Sequence, residues 1–302
     1  MSNVDLKKIG TEQRNPNTMN IDELSTLEVI KKINDEDKKV AYAVEKVTDK
    51  IEPLVDKIVE AFYKDGRLIY LGAGTSGRIG VVDAVECRPT YGVSDEMVQC
   101  LIAGGERAFI KAVEGAEDNK ALCVSDLKGI NLTKDDVVIG IAASGRTPYV
   151  IGGLEYAKEL GCVTGCIVTS PNSIIENMVD YPVVPVTGEE AITGSTRMKS
   201  GTAQKMVCNI ISTTSMIKMG KVYENLMIDV MPTNEKLVAR AHNIIATATK
   251  VTKEEAKELF DKYGTVKKAI FAVMSGIESK EEIEKYLDKA KGHIRNALKL
   301  VK

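Results

Sequence analysis

Arg67-Leu68-Ile69-Tyr70-Leu71-Gly72-Ala73-Gly74-Thr75-Ser76-Gly77-Arg78 decides the fold. Its apolar opening, Arg67 to Leu71, predicts a buried strand, and Ser76 to Val85 predicts the helix that follows. The turn between them is built from glycines and hydroxyls. Glycine lets backbone approach a ligand closely, and the amides at a helix start point toward it. A second copy of the pattern stands further along. Strand Val137 to Ala142 runs into Ala143-Ser144-Gly145-Arg146-Thr147-Pro148, and a helix follows from Pro148 to Leu160. Proline suits the first helical position, where its missing N–H costs nothing. Two such loops in one domain point to a ligand that is anionic and rich in hydroxyls, such as a phosphorylated sugar.

Outward from these loops the pattern alternates. Strands are predicted at Met97–Ala103, Cys162–Val168 and Val183–Val186, with helical segments between Arg107 and Leu127, near Ile174, and over Lys199–Met219. Strands apolar on both faces and alternating with helices predict a parallel sheet covered by helices. Ligands bind such sheets at the carboxyl ends of the strands, where both loops fall. Upstream, Thr11 to Asp22 is polar and irregular and reads as an extended arm packed on a partner subunit. Helices follow from Asp22, from Asp35 through Val47, and from Ile51 to Tyr63. Downstream, Met231-Pro232-Thr233-Asn234-Glu235 marks a break, with Thr233 or Asn234 as cap of a helix over Leu237–Ala248. Amphipathic helices at Lys253–Tyr263, Val266–Ser275 and Lys280–Leu300 form a small helical appendix with its own core.

The composition is that of an ordinary globular chain: 302 residues, 44% hydrophobic, 28% charged, formal net charge -2. Lys and Arg form no block, which argues against nucleic acid or an anionic membrane as partner. No apolar run is long enough to span a bilayer, and Met1 to Lys8 lacks a secretory core, so a cytoplasmic location is expected. The six cysteines form no Cys-x-x-Cys pair and read as buried thiols in a reducing compartment. With only His242 and His293 available, a zinc site is not expected.

A third polar helix start, Thr193-Gly194-Ser195-Thr196-Arg197-Met198-Lys199-Ser200-Gly201-Thr202-Ala203-Gln204-Lys205, packs hydroxyls, a guanidinium and ammonium groups together. The candidate binding residues are therefore Thr75, Ser76, Gly77 and Arg78, then Ser144, Gly145, Arg146 and Thr147, then Ser195, Thr196, Arg197 and Lys199. Each loop taken alone is also what a plain capped turn would look like; three in one sheet domain are hard to explain as caps alone. Spacing by itself does not select a catalytic pair from 43 acidic residues.

The whole pattern resembles the N-acetylmuramic acid 6-phosphate etherases, a branch of the sugar isomerase (SIS) superfamily. The resemblance runs from Thr11-Glu12-Gln13-Arg14-Asn15-Pro16 through both Gly/Ser loops, Glu86-Cys87, Pro89-Thr90, Ile102-Ala103-Gly104-Gly105 and Glu114-Gly115-Ala116-Glu117-Asp118. It continues through Thr193 to Lys205 and Asp229 to Leu237 into the helical tail. Arg88 departs from the family pattern, which often has proline there, and Ser200 and Met231 stand where Ala and Gln are common.

The resemblance implies an α/β fold of SIS type: a three-layer sandwich with a central parallel sheet flanked by helices, and a small C-terminal helical (UBA-like) domain. The implied organisation is an N-terminal arm and helices (1–57), a SIS sugar-phosphate domain (58–221), a connecting helix (222–248) and the C-terminal domain (249–302). It also implies a cytoplasmic homodimeric lyase of cell-wall sugar recycling, with no metal and no organic cofactor. The lyase would cleave the lactyl ether of N-acetylmuramic acid 6-phosphate with water. Its two catalytic glutamates would be Glu86 as general acid and Glu117 as general base. Two other readings share the fold: a sugar-phosphate isomerase, which should lack the linked glutamate segments, and a non-catalytic sugar-phosphate-sensing regulatory protein, which can lose one of them.

Overall fold

The computed structural model describes residues 10–111, 113–232 and 234–301, so Met1 to Ile9, Ala112, Thr233 and Lys302 lie outside the described residues. These residues divide into two compact units, one within Met1–Val85 and Glu96–Ser212, the other within Glu86–Asp95 and Thr213–Lys302.

The first unit is built on a parallel sheet of five strands: β1 (Leu68–Gly72), β2 (Val98–Ile102), β3 (Val137–Ile141), β4 (Val163–Ile167) and β5 (Tyr181–Val183). The strand order is β2-β1-β3-β4-β5. β1 and β3 are buried along their whole length, as expected of strands covered on both faces. On one face α5 (Lys120–Gly129) and α6 (Pro148–Leu160) cover the sheet, and Cys123, Leu127, Val150 and Leu154 meet Ile69, Leu71 and Val138 in the core. The other face takes α2 (Thr48–Phe62) and α3 (Gly74–Tyr91). There Leu54 lies over Gly165, and Gly80 fits against Cys100, whose Sγ a methyl group would meet at 2.7 Å. α8 (Lys199–Lys218) is tied to α3 through Asn209 and Ser212, which donate to the buried Asp83 carboxylate. The expected three-layer sandwich, a parallel sheet between two layers of helices, is thus present. α4 (Glu106–Ile110) is a single turn between β2 and α5, and α7 (Ile174–Met178) a single turn between β4 and β5.

Up to the end of the helix after β1, three expectations change. The helices expected on either side of Asp35 are one helix, α1 (Thr26–Glu45), started by a capping box between Ser25 and Glu28. The helix after β1 does not stop at Val85 but runs to Tyr91, with Pro89 inside its last turn, where a proline forfeits a single hydrogen bond. The arm is not extended. It makes three short 3-10 turns, Gly10–Glu12, Pro16–Thr18 and Ile21–Glu23. It is fastened to its own chain: Asn15 donates to Glu189 O (3.2 Å), Thr18 to Ala191 O (2.8 Å), and Gly194 N to Thr11 O (3.1 Å).

The second unit holds a short hairpin, β6 (Val222–Tyr223) and β7 (Leu226–Met227), and the helices α9 (Glu235–Thr249), α10 (Lys253–Tyr263), α11 (Val266–Ser275), α12 (Lys280–Lys289) and α13 (Ile294–Val301). Its core gathers Ala241, Ile245, Ile270, Phe271 and Ile283, all buried. Asn234 caps α9 by accepting from Leu237 N, and Thr252, Thr265 and Ser279 cap the next three helices. The expected single helix over Lys280–Leu300 is two, because Lys291 and Gly292 both take positive φ between α12 and α13. Among the described residues no helix is long and apolar enough to cross a membrane. All six cysteines are free thiols, and burial pushes Cys123, Cys162 and Cys166 up to about 12, so they stay protonated and inert.

Candidate active site

The order β2-β1-β3-β4-β5 reverses direction between β1 and β3, which makes a crevice beyond their carboxyl ends. Gly72 of β1 pairs with Ile141 of β3, so the two Gly/Ser loops leave the sheet side by side. At the first loop a side chain on Gly72 would lie 2.6 Å from Gly77 N, so the strand turns into α3 with no room to spare. At the second, Gly145 takes φ +63°, and a Cβ there would lie 2.2 Å from Ser173 Oγ. Gly145→Ala is therefore expected to destabilise the protein by about 1–3 kcal/mol. Thermal unfolding checks this, and the same variant should bind ligand less well because the loop must shift.

A cleft of about 490 Å³ opens between the loops. Thr75, Ser76, Ser144, Arg146, Thr147 and Thr196 line it, together with three carboxylates, Glu12, Glu117 and Asp118. Thr147 is the N-cap of α6, yet its hydroxyl makes no capping bond, which leaves it available to a ligand. Ser76 is less free: its hydroxyl donates to the buried Gln204 at 2.9 Å and ties the first loop to α8. Glu117 is exposed on the segment before α5, and its carbonyl accepts from Tyr149 N in the first turn of α6 at 2.9 Å. That bond holds the Glu117 segment against the second loop. Glu117 also borders a smaller recess of about 190 Å³ with Arg78, Gly74 and Glu114. The Arg78 guanidinium there is committed, donating to Phe109 O (3.0 Å) and Ala108 O (2.8 Å).

The third polar helix start is arranged differently. Glu190, fully buried, accepts from the backbone N–H groups of both Lys199 and Ser200 at 2.9 Å, so the protein's own carboxylate occupies the start of α8. The Lys199 side chain is buried as well, and its Nζ lies 2.7 Å from Glu36 of α1. Of that segment the structure brings Thr196 to the cleft, while Ser195, Arg197 and Lys199 are not among its lining residues. Gly77 packs under Ile102 and shapes the loop from below. Glu12 and Asp118 fall within stretches that carry the family resemblance but are not among the candidate site residues, and the structure brings both to the cleft. Nothing in their spacing marks them, and Glu12 reaches the cleft only because the arm folds back on the chain. Among the described residues no three His, Cys, Asp or Glu side chains gather as a metal site.

Residues 126–213 match the SIS domain, and residues 49–158 match the glucokinase regulatory protein N-terminal SIS domain. A putative phosphosugar isomerase involved in capsule formation from Bacteroides fragilis shares the fold. It has a TM-score of 0.50 and 22% identity, covering 67% of this chain and 95% of that one. An N-acetylmuramic acid 6-phosphate etherase from Clostridium botulinum (strain Loch Maree / Type A3) is 55% identical over 300 residues, 99% of each chain. The chain belongs to the N-acetylmuramic acid 6-phosphate etherase family. Another etherase of that name, from an Exiguobacterium species, is 54% identical over 97% of this chain and all of its own. Of the two glutamates that the resemblance to the etherases singles out, Glu117 stands at the cleft. Glu86 is exposed on α3, at the start of the segment Glu86–Asp95 that belongs to the second unit. The departure at Arg88 is absorbed locally, since its guanidinium pairs with Asp95.

Proposed function

We propose that this chain is the etherase its relatives are named for, converting N-acetylmuramic acid 6-phosphate and water into N-acetylglucosamine 6-phosphate and D-lactate. The similarity at 55% identity over 99% of both chains carries the reading. The cleft supports it chemically. The hydroxyls of Thr75, Ser144 and Thr147 and the starts of α3 and α6 suit a phosphate, and Glu117 stands beside them as a base.

The open-chain sugar has an aldehyde at carbon 1, which makes the carbon 2 proton removable. Glu117 takes that proton. The electrons form the carbon 2–carbon 3 double bond, and the carbon 3–oxygen bond breaks. Glu86 supplies the proton that the lactate oxygen needs to leave. Water then adds to carbon 3 of the unsaturated aldehyde, and carbon 2 regains a proton. No electrons are gained or lost overall, so acid–base groups suffice for the balance. Binding energy from the phosphate end holds the reacting carbons in register with the base. On this reading the protein works as a cytoplasmic homodimer in the recycling of cell-wall amino sugars.

The test is D-lactate release from purified protein with N-acetylmuramic acid 6-phosphate, run beside the unphosphorylated sugar. Release from the phosphorylated sugar alone is the expected result. Binding without release would favour a sugar-phosphate sensor instead.

A further inference from the structure

The substrate of the proposed reaction carries two anions, a phosphate on carbon 6 and a carboxylate on the lactyl group. The described residues lining the cleft offer one cation, Arg146, against three carboxylates, Glu12, Glu117 and Asp118. We infer that Arg146 binds the lactyl carboxylate and so selects the sugar acid over the sugar; this rests on the reading above. Its guanidinium has no hydrogen-bond partner among the described residues, and its Nε is buried without an acceptor. Arg78, by contrast, is already bound to backbone carbonyls, and Arg67 is paired with Asp136. A guanidinium N–H left without an acceptor is costly, and a carboxylate that accepts from Nε and Nη together answers it with matching geometry.

The substrate's own connectivity separates the two anions. The lactyl carboxylate hangs from the carbon next to the ether oxygen, and the ether carbon adjoins the one Glu117 deprotonates. The carboxylate therefore lies at the Glu117 end of the sugar and the phosphate at the far end. Arg146 and Glu117 line the same cleft, and Tyr149 N, in the helix that starts just after Arg146, binds Glu117 O. Bringing a carboxylate close to ionised Glu117 is repulsive without a cation between them. The phosphate needs no cation, since the neutral hydroxyls and helix starts that line the cleft can hold it.

The product N-acetylglucosamine 6-phosphate keeps the phosphate and lacks the carboxylate, which makes it the control. Arg146→Met and Arg146→Lys are assayed for D-lactate release, and N-acetylglucosamine 6-phosphate is titrated into each as inhibitor. For Arg146→Met the expected result is a KM for N-acetylmuramic acid 6-phosphate raised about 10- to 100-fold, the worth of a charge-assisted hydrogen-bonded pair, with product inhibition unchanged. Arg146→Lys, which keeps the charge and loses the fork, should fall between that variant and wild type. Thr147→Ala should show the other pattern, weakening substrate and product together. A parallel loss of product affinity in a folded Arg146→Lys protein would place the arginine on the phosphate and overturn the inference; so would no change in KM. If wild type releases no lactate, the proposed activity fails. The same comparison made as binding constants for the two sugars then still decides the role of Arg146.

Discussion

Glu117→Gln should lower D-lactate release by about 10²- to 10⁴-fold, the range contributed by a positioned general base. Glutamine keeps the shape and the hydrogen-bonding capacity of the side chain but cannot take a proton. The segment itself should stay in place, because the contact that holds it is the backbone bond from Tyr149 N to Glu117 O. Affinity for N-acetylglucosamine 6-phosphate should accordingly be retained, and a drop in kcat with unchanged product inhibition is the signature to look for. Exchange of the carbon 2 proton with deuterated water separates the two glutamates. Glu117→Gln should abolish both exchange and lactate release. Glu86→Gln should stop lactate release while carbon 2 still exchanges, since the base remains. Normal lactate release by Glu86→Gln would remove that residue from the acid role.

The parts of the fold legible in sequence are those set by local chemistry. α6 begins where Pro148 allows and ends at Gly161, whose φ of +91° a glycine adopts freely. α10 and α11 start at Thr252 and Thr265 and stop at Gly264 and Gly276 for the same reasons. The two loops were readable because each couples a strand end to a helix start. What sequence did not disclose was set by distant partners. The run Asn34-Asp35-Glu36-Asp37 looks like a break between helices, yet α1 passes through it because Glu36 faces inward and meets Lys199. Lys199 in turn looks like an anion donor at the start of α8. Its charge is answered by Glu36, and the helix start by Glu190, 163 and 9 residues away in sequence. Glu12 and Asp118 face the cleft through chain placement alone, the first by the fold-back of the arm.

Lys199→Met should destabilise the protein by about 3–5 kcal/mol, because it leaves the Glu36 carboxylate buried without its main partner. Glu36 and Lys199 are only 3% and 2% exposed, so water cannot take over from the lost ammonium. Thermal unfolding measures the loss. The double variant Glu36→Met with Lys199→Met should recover much of it, since removing both charges removes the unpaired one. The pair also sets an acid limit. Burial alone would push the Glu36 carboxyl up, but hydrogen bonds from Lys199 and Lys39 outweigh it and bring the group down to about 2. A carboxyl lowered on folding stabilises the native state above its unfolded value near 4.5. That contribution, about 3 kcal/mol, is lost as pH falls from there toward 2. Wild type should therefore lose stability across that window more steeply than the double variant, in which the group is gone. The variants also separate the two roles open to Lys199. A buried tie between α1 and α8 moves the unfolding temperature and leaves KM for the phosphorylated sugar unchanged in the folded protein. A phosphate ligand would raise KM and spare stability. Because the ammonium lies 2.7 Å from Glu36 and the start of α8 is already capped by Glu190, the first pattern is the expected one.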